Sequence, residues 1–183
     1  MRTLEWLRVL AKRIGVAAGL LCIAAASPTQ PSFVPVFREN FPDAFVLPYG
    51  GRFIAYATNN GPNVPVAMST DLVHWSFVGD PQTGKPRDAL PRLGSWAKEG
   101  FTWAPEVLQL GDRYLLYYTA SDVRRKMQCI GVALASDPLG PFVDDRPDPI
   151  VCQTGLGGSI DANAFRDADG RLNVEGRVDD MII

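Results

Sequence analysis

The 183-residue sequence has little of what several common classes of function require. It contains a single histidine, His74, which excludes a histidine-rich metal centre within the chain, and we expect His74 to be structural. Its formal net charge is −2, so no strongly basic surface favours nucleic acid, and none is expected as a partner. From Phe33 onward the apolar residues lack the helical period of about 3.6 residues. An all-β fold class remains.

Long apolar runs are also absent, with one exception near the N-terminus. Four basic residues precede an apolar run over residues 14–26, and small residues close that run. The run is shorter than the roughly 20 residues of a membrane-spanning helix, so it predicts a cleaved secretory signal peptide over residues 1–26 rather than an anchor. Its removal leaves a net charge of −5, which suits a neutral substrate. We expect a secreted protein that is not attached to a membrane after cleavage.

Cysteine is scarce, with three in the chain and two, Cys129 and Cys152, beyond the predicted signal peptide. In an oxidising compartment these two could form one disulfide, and two buried thiols are an equally acceptable outcome. The sequence leaves both possibilities open.

Glycine and proline, in contrast, are frequent, and they break the chain into short β-rich runs. Three runs follow turns that end in arginine, and Arg52, Arg113 and Arg171 recur at nearly equal intervals along the chain. A second repeated segment relates Asp71 to Asp137 at a similar interval. Repeats of four strands are typical of β-propeller blades. We therefore predict a lead-in over residues 27–40 and a partial β-propeller over residues 41–183.

An acidic residue precedes the first strand of each predicted unit, namely Asp43, Glu106 and Asp161. First strands line the central channel of a propeller, so we expect the three residues to hold equivalent positions and to converge on one pocket. Like charges in one pocket move pKa values apart, which acid–base chemistry requires. Cleavage of a glycosidic bond uses two carboxyl groups, so the pattern favours that chemistry.

Aromatic residues accompany these acids. Phe41, Phe101 and Trp103 lie just before two of them, and flat rings of this kind can stack on the faces of sugars. We predict that all three shape a saccharide pocket. Trp75 lies at the far end of a unit and is expected to pack between blades, whereas Trp96 suits either role.

Taken together, residues 41 to about 180 resemble glycoside hydrolase family 43, whose members are five-bladed β-propellers that act on arabinans, xylans and related side chains. The most specific elements are Trp-Ala-Pro-Glu at residues 103–106 and Ile-Asp at residues 160–161, before an Asp-Ala-Asp-Gly turn. The other matching segments are residues 42–45 and 69–75.

The resemblance implies a role for each acid. Asp43 would be the general base that activates water, and Asp161 would orient the catalytic acid and tune the pKa of that acid. Trp103 and Glu106 would lie in or beside the substrate pocket. Family members invert the anomeric configuration, which places the carboxyl groups about 6.5–9.5 Å apart. The resemblance implies a polysaccharide or oligosaccharide as the substrate. We expect no cofactor and no metal in the site.

One departure from the family concerns the general acid. The family carries it on a glutamate of a later blade, and Glu175, the only glutamate after Asp161, comes too early. We therefore expect a five-bladed propeller truncated after about two and a half blades, with the general acid absent and hydrolysis impaired. A non-catalytic saccharide-binding fragment is the alternative. A fructoside hydrolase is disfavoured because Phe-Pro-Asp-Ala, at residues 41–44, replaces the Asn-Asp-Pro-Asn element of those enzymes.

Overall fold

The computed structural model describes residues 34–177, and the predicted signal peptide lies outside the described residues. Regular structure within that range is almost wholly β, with one 3-10 turn at Thr154–Leu156. The predicted all-β class is confirmed. No helix between residues 34 and 177 has the length and apolar character to cross a bilayer.

The strands form three antiparallel sheets, which we call the first, second and third blades. Two-residue turns join the first two strands of the first blade and of the second. In the first of these turns Gly50 and Gly51 adopt φ values of 54° and 75°, which glycine reaches without steric cost. The first blade contains β1 (Phe45–Tyr49), β2 (Arg52–Tyr56), β3 (Val66–Ser69) and β4 (Ser76–Phe77). The second contains β5 (Ala97–Leu110), β6 (Arg113–Asp122) and β7 (Gln128–Ala135), and the third contains β8 (Ile160–Arg166) and β9 (Leu172–Arg177).

The strand pairing confirms the sequence repeat. Phe53 pairs with Ser69 in the first blade, and Tyr114 pairs with Ala135 in the second. Phe53 and Tyr114 each directly follow a repeated turn arginine. Ser69 and Ala135 each lie two residues before a repeated aspartate. The first strands are neighbours, because β1 lies against β5 and β5 lies against β8. This is the arrangement of successive propeller blades around a common axis.

The fourth position of the second blade is occupied by two isolated bridges to β7, at Val143 and at Val151. Val143 exchanges two backbone hydrogen bonds of 3.0 Å with Leu134, on the outer side of β7. The described residues therefore build two blades and the first two strands of a third.

Apolar packing between blades supplies the core. The larger cluster fills the junction of the first and second blades and includes Tyr56, Leu116 and Trp96, all fully buried. Trp96 stacks on Tyr118 and donates a hydrogen bond to Asp144, so it belongs to this core. A smaller cluster lies between the second and third blades and consists of Tyr117, Ile130, Val132 and Ala162.

A disulfide joins Cys129 on β7 to Cys152, in the segment that leads to β8. The two Cα atoms lie 4.7 Å apart, at a sequence separation of 23 residues. Of the two outcomes that the sequence left open, the structure shows the disulfide rather than two buried thiols. Closing a loop of this length stabilises the folded state by about 3 kcal/mol, chiefly through the entropy of the unfolded chain.

Candidate active site

A cavity of about 200 Å³ lies where the first strands of the three blades begin. The carboxylates of Asp43, Glu106 and Asp161 all line it, so the expected convergence is observed. The remaining lining residues are Ala44, Phe45, Ala104, Pro105 and Ala162.

A one-residue bulge shapes the second blade at this cavity. Trp103 pairs with Thr119 and Glu106 pairs with Tyr117, so three steps along β5 oppose two along β6. Ala104 lies inside the bulge with φ at 41°, in the left-handed region that few side chains favour.

The third blade repeats the bulge. Ile160 pairs with Arg177 and Asn163 pairs with Glu175, which again sets three steps on one strand against two on its partner. Asp161 follows Ile160 in the bulge, and its φ is 54°.

The first blade has the same geometry. Phe45 pairs with Tyr56, and the backbone N–H of Thr58 donates to the carbonyl of Pro42 at 3.0 Å. Asp43 lies between these two points with φ at 52°. Aspartate tolerates this region better than most residues, because its short polar side chain bonds locally.

Asp43, Ala104 and Asp161 therefore occupy the same position in the three blades. The expectation that Glu106 shares that position is wrong, since Glu106 lies two residues further along its strand. The spacing to the turn arginines explains the error, because Ala104 precedes Arg113 by the same number of residues as Asp43 precedes Arg52. Glu106 nevertheless lines the cavity from its own place.

Two threonines each accept a hydrogen bond from the bulge of the following blade. The Oγ1 of Thr58, just after β2, accepts a hydrogen bond from the backbone N–H of Ala104 at 3.0 Å. The Oγ1 of Thr119, on β6, accepts one from the N–H of Asp161, also at 3.0 Å. Each blade thus holds the bulge of the next one through a hydroxyl oxygen.

The two bulge aspartates have different partners. Asp43 is exposed, and its Oδ2 accepts a hydrogen bond from the hydroxyl of Thr58 at 2.7 Å. Asp161 is half-buried, and its Oδ2 lies 2.5 Å from a guanidinium nitrogen of Arg177. A neutral donor therefore faces one carboxylate and a cation faces the other.

Glu106 uses both carboxylate oxygens to hold the third blade. Its Oε1 accepts from the backbone N–H of Ala164 at 2.7 Å, and its Oε2 accepts from the side-chain amide of Asn163 at 3.1 Å. These bonds give Glu106 a supporting function beside the cavity, which the sequence analysis did not foresee.

The three predicted pocket aromatics are not gathered at the cavity. Phe41 packs edge-on against Phe37 and Phe77, at centroid distances of 5.3 and 5.8 Å, in a separate apolar recess of the first blade. Lys98 covers one face of Phe101, with Nζ 4.2 Å from the ring centroid. Trp103 is 37% exposed and directly precedes the bulge residue of the second blade. Of the three, Trp103 lies nearest in sequence to the lining residues.

Trp75 and His74 do not line the acidic cavity. The indole N–H of Trp75 donates to the carbonyl of Leu72, and the ring faces the same apolar recess as Phe41. His74 Nδ1 lies 2.7 Å from Asp71 Oδ2 in an exposed turn, where Asp71 also accepts backbone bonds. Both residues stabilise the end of β3.

Comparison with protein families decides the classification of the chain. Residues 34–174, more than half of the chain, match the model of glycosyl hydrolases family 43. The chain belongs to this family. Its all-β architecture is that of the five-bladed family 43 propellers, of which the described residues form the opening blades.

Two curated relatives in the family are arabinanases. The extracellular endo-α-(1→5)-L-arabinanase of Thermotoga petrophila is 32% identical over 108 residues, covering 55% of this chain and 22% of that protein. The extracellular endo-α-(1→5)-L-arabinanase 2 of Bacillus subtilis is 26% identical over 161 residues, covering 75% and 33%. The chain thus spans a third or less of the length of these relatives.

Solved structures show the same fold. An endo-1,4-β-xylanase from Bacteroides thetaiotaomicron is 27% identical with a TM-score of 0.55, covering 74% of this chain and 42% of that one. An α-L-arabinanase from Cellvibrio cellulosa is 23% identical with a TM-score of 0.55, covering 74% and 44%, and this likeness supports the fold alone.

Sequence reasoning missed four residues of the site: Thr58, Thr119, Asn163 and Arg177. A signal existed for the threonines, because each follows the turn arginine of its own blade, Arg52 or Arg113, at the same distance along the chain. Arg177 follows Arg171 at that same distance, so the signal extended to it. For Asn163 we find no such signal, and the folded third blade brings it to Glu106.

Proposed function

We propose that this protein is an inverting glycoside hydrolase of plant cell-wall polysaccharides, with arabinan the first candidate and xylan side chains the second. One observation carries the proposal. Two aspartates at equivalent bulges face one cavity, and they have different hydrogen-bond partners. Equivalent carboxylates with unequal partners are suited to unequal roles in acid–base catalysis.

Asp43 is proposed as the general base. Its partner on Oδ2 is a neutral hydroxyl, and its side chain is exposed at the cavity, where it can accept a proton from water. Asp161 is proposed to orient the reacting groups, because Arg177 already neutralises its charge. Glu106 is proposed as a positioning residue, since its bonds to Asn163 and Ala164 hold the blade that carries Asp161.

The proposed substrate and location draw on further observations. The relatives are named as extracellular arabinanases. The disulfide between Cys129 and Cys152 is compatible with an oxidising compartment. We propose a secreted protein whose partner is a neutral polysaccharide or oligosaccharide. Phe41 and Phe101 are left out of the proposed sugar contacts.

A complete inverting reaction also needs a general acid. Glu106 is unsuited to that role, because both of its oxygens accept hydrogen bonds from the third blade. The family resemblance assigns the acid to a later blade than the described ones. We therefore propose that the described residues, 34–177, carry the base half of the machinery.

An activated substrate tests the base half separately. Dinitrophenyl α-L-arabinofuranoside has a leaving group that departs without protonation, so its hydrolysis depends little on a general acid. We expect the chain to hydrolyse it, and Asp43→Asn to lower the rate by about 10²–10⁴-fold. Asp112→Asn is the matched control, because Asp112 is exposed in the turn between β5 and β6. Early ¹H NMR spectra of the product are expected to show the inverted anomer.

Equal rates for the Asp43→Asn and Asp112→Asn variants would contradict the proposal, as would a product of retained configuration. The saccharide-binding alternative has its own outcome. If calorimetry shows that arabinohexaose binds, that Asp43→Asn leaves this binding unchanged, and no substrate is ever cleaved, the protein is a binding module.

A further inference from the structure

Thr58 makes two hydrogen bonds through one hydroxyl group. The backbone N–H of Ala104 can only donate, so it occupies a lone pair of Oγ1 at 3.0 Å. The single hydroxyl proton is then directed to Asp43 Oδ2, 2.7 Å away. The direction of both bonds follows from the chemistry of the donors, because a hydroxyl carries one proton and two lone pairs.

Thr119 provides an internal comparison. It occupies the corresponding position of the second blade, and its Oγ1 accepts the N–H of Asp161 as Thr58 accepts that of Ala104. The bulge residue of its own blade is Ala104, which has no carboxylate to receive the hydroxyl proton. The bond to the next blade is therefore common to both threonines, whereas the bond to a carboxylate belongs to Thr58.

The contact fixes a side chain that the backbone alone leaves free. Asp43 is exposed, so solvent does not hold its rotamer, and Thr58 is half-buried and anchored to the second blade. Binding of Oδ2 by the hydroxyl sets the plane of the carboxylate. The other oxygen, Oδ1, is then the one that can meet a water molecule in the cavity.

We propose that Thr58 is a positioning residue that holds the Asp43 carboxylate by Oδ2 and couples it to the backbone of the neighbouring blade, so that Oδ1 addresses the attacking water. This inference rests on the proposed base function of Asp43. It assigns to Thr58 a role that is absent at Thr119, although both hydroxyls support the fold in the same way.

Three variants separate the two roles. Thr58→Val keeps the shape and removes the hydroxyl, Thr58→Ser keeps the hydroxyl, and Thr119→Val removes the equivalent hydroxyl of the second blade. Thr58→Ala replaces Thr58→Val if the latter does not fold, as judged by circular dichroism. The readouts are the ¹³C chemical shift of the Asp43 carboxyl group at neutral pH, which reports its hydrogen bonding, and the kcat and KM of dinitrophenyl arabinofuranoside hydrolysis.

We expect Thr58→Val to change the ¹³C chemical shift of the Asp43 carboxyl group, because that group loses its hydroxyl donor. Its kcat should fall about tenfold with little change in KM, the loss expected for one hydrogen bond to a charged group. Thr58→Ser should restore both readouts, and Thr119→Val should leave the Asp43 chemical shift unchanged.

Two results would overturn the assignment: an unchanged Asp43 chemical shift in Thr58→Val, or an equal change in Thr119→Val. The chemical shift is independent of turnover. A changed chemical shift in a protein that hydrolyses nothing would therefore support the contact while refuting the proposed function.

Discussion

The two junctions between blades are built from one shared hydrogen bond and different reinforcements. A threonine hydroxyl accepts the backbone N–H of the next bulge at both junctions. Between the first and second blades, the large apolar cluster around Tyr56 and Leu116 provides the remaining stability. Between the second and third blades the apolar cluster is small, and the bonds of Glu106 supplement it. At the second junction, the hydrogen bonds of Glu106 and the disulfide between Cys129 and Cys152 thus compensate for a smaller buried apolar cluster.

The largest expected effect comes from removing the disulfide near the second junction. The double substitution Cys129→Ser with Cys152→Ser should lower the free energy of unfolding by about 3 kcal/mol, because the unfolded chain regains the entropy of an open loop. Urea unfolding of both proteins measures the change. Amide exchange should accelerate in β7 and β8 more than in β2.

Reductant provides the control for that comparison. Dithiothreitol should destabilise the native protein to the level of the double variant and should leave the variant itself unaffected. A native protein that unfolds at the same urea concentration with and without reductant would show that the second junction does not depend on this bond.

The next effect concerns Glu106. Glu106→Ala leaves the N–H of Ala164 and the amide of Asn163 without their carboxylate acceptor, which should cost about 1–3 kcal/mol. Glu175→Ala is the matched control, because Glu175 is an exposed glutamate on β9 of the third blade. Thermal unfolding by circular dichroism measures both. A smaller loss for Glu106→Ala than for Glu175→Ala would remove Glu106 from the description of the second junction.

These junctions also show where sequence reasoning succeeds and where it stops. Spacing of the turn arginines was enough to predict blades, because each blade needs a turn at the same point of its hairpin. The same spacing could have warned against aligning Glu106 with Asp43, since Glu106 lies closer to Arg113 than Asp43 does to Arg52. A bulge at Ala104 leaves no compositional trace, as alanine has no preference for positive φ.

The disulfide illustrates a different limit. Two cysteines 23 residues apart are compatible with pairing or with separate burial, and only the pairing of Ile130 with Val151 brings them together. Similarly, Phe41 precedes Asp43 by two residues, yet a contact with Phe77 draws its ring into another recess. Proximity in sequence to a catalytic candidate does not determine the direction of a side chain.

A smaller effect is expected at the bulge of the second blade. Ala104→Gly relieves the unfavourable left-handed backbone but gives the unfolded chain more freedom, so the free energy of unfolding should change by less than about 1 kcal/mol. Ala133→Gly, in the buried part of β7, should be clearly destabilising. Urea unfolding of the pair measures both changes. If Ala104→Gly proves as harmful as Ala133→Gly, Ala104 does not adopt a strained backbone.

The smallest effect lies in the first blade, away from both junctions. Hydrogen bonds from the His74 side chain and from backbone N–H groups lower the pKa of Asp71 below its usual value. The folded state therefore gains stability above the unfolded pKa of about 3.9, and loses it as the pH falls further. Between pH 5 and pH 2 the Tm of the native protein should fall slightly more than that of Asp71→Asn. Parallel Tm curves for the two proteins would contradict this.

The repeated bulge separates architecture from chemistry. Its backbone is held by a hydroxyl on the preceding blade, and that support is indifferent to the side chain the bulge displays, since aspartate and alanine occupy it with nearly the same φ. Ala104 therefore gives the second blade a bulge without a reactive side chain, whereas the bulges of the first and third blades carry aspartates. A propeller assembled this way can lose, gain or relocate reactive groups by single codon changes without rebuilding its scaffold.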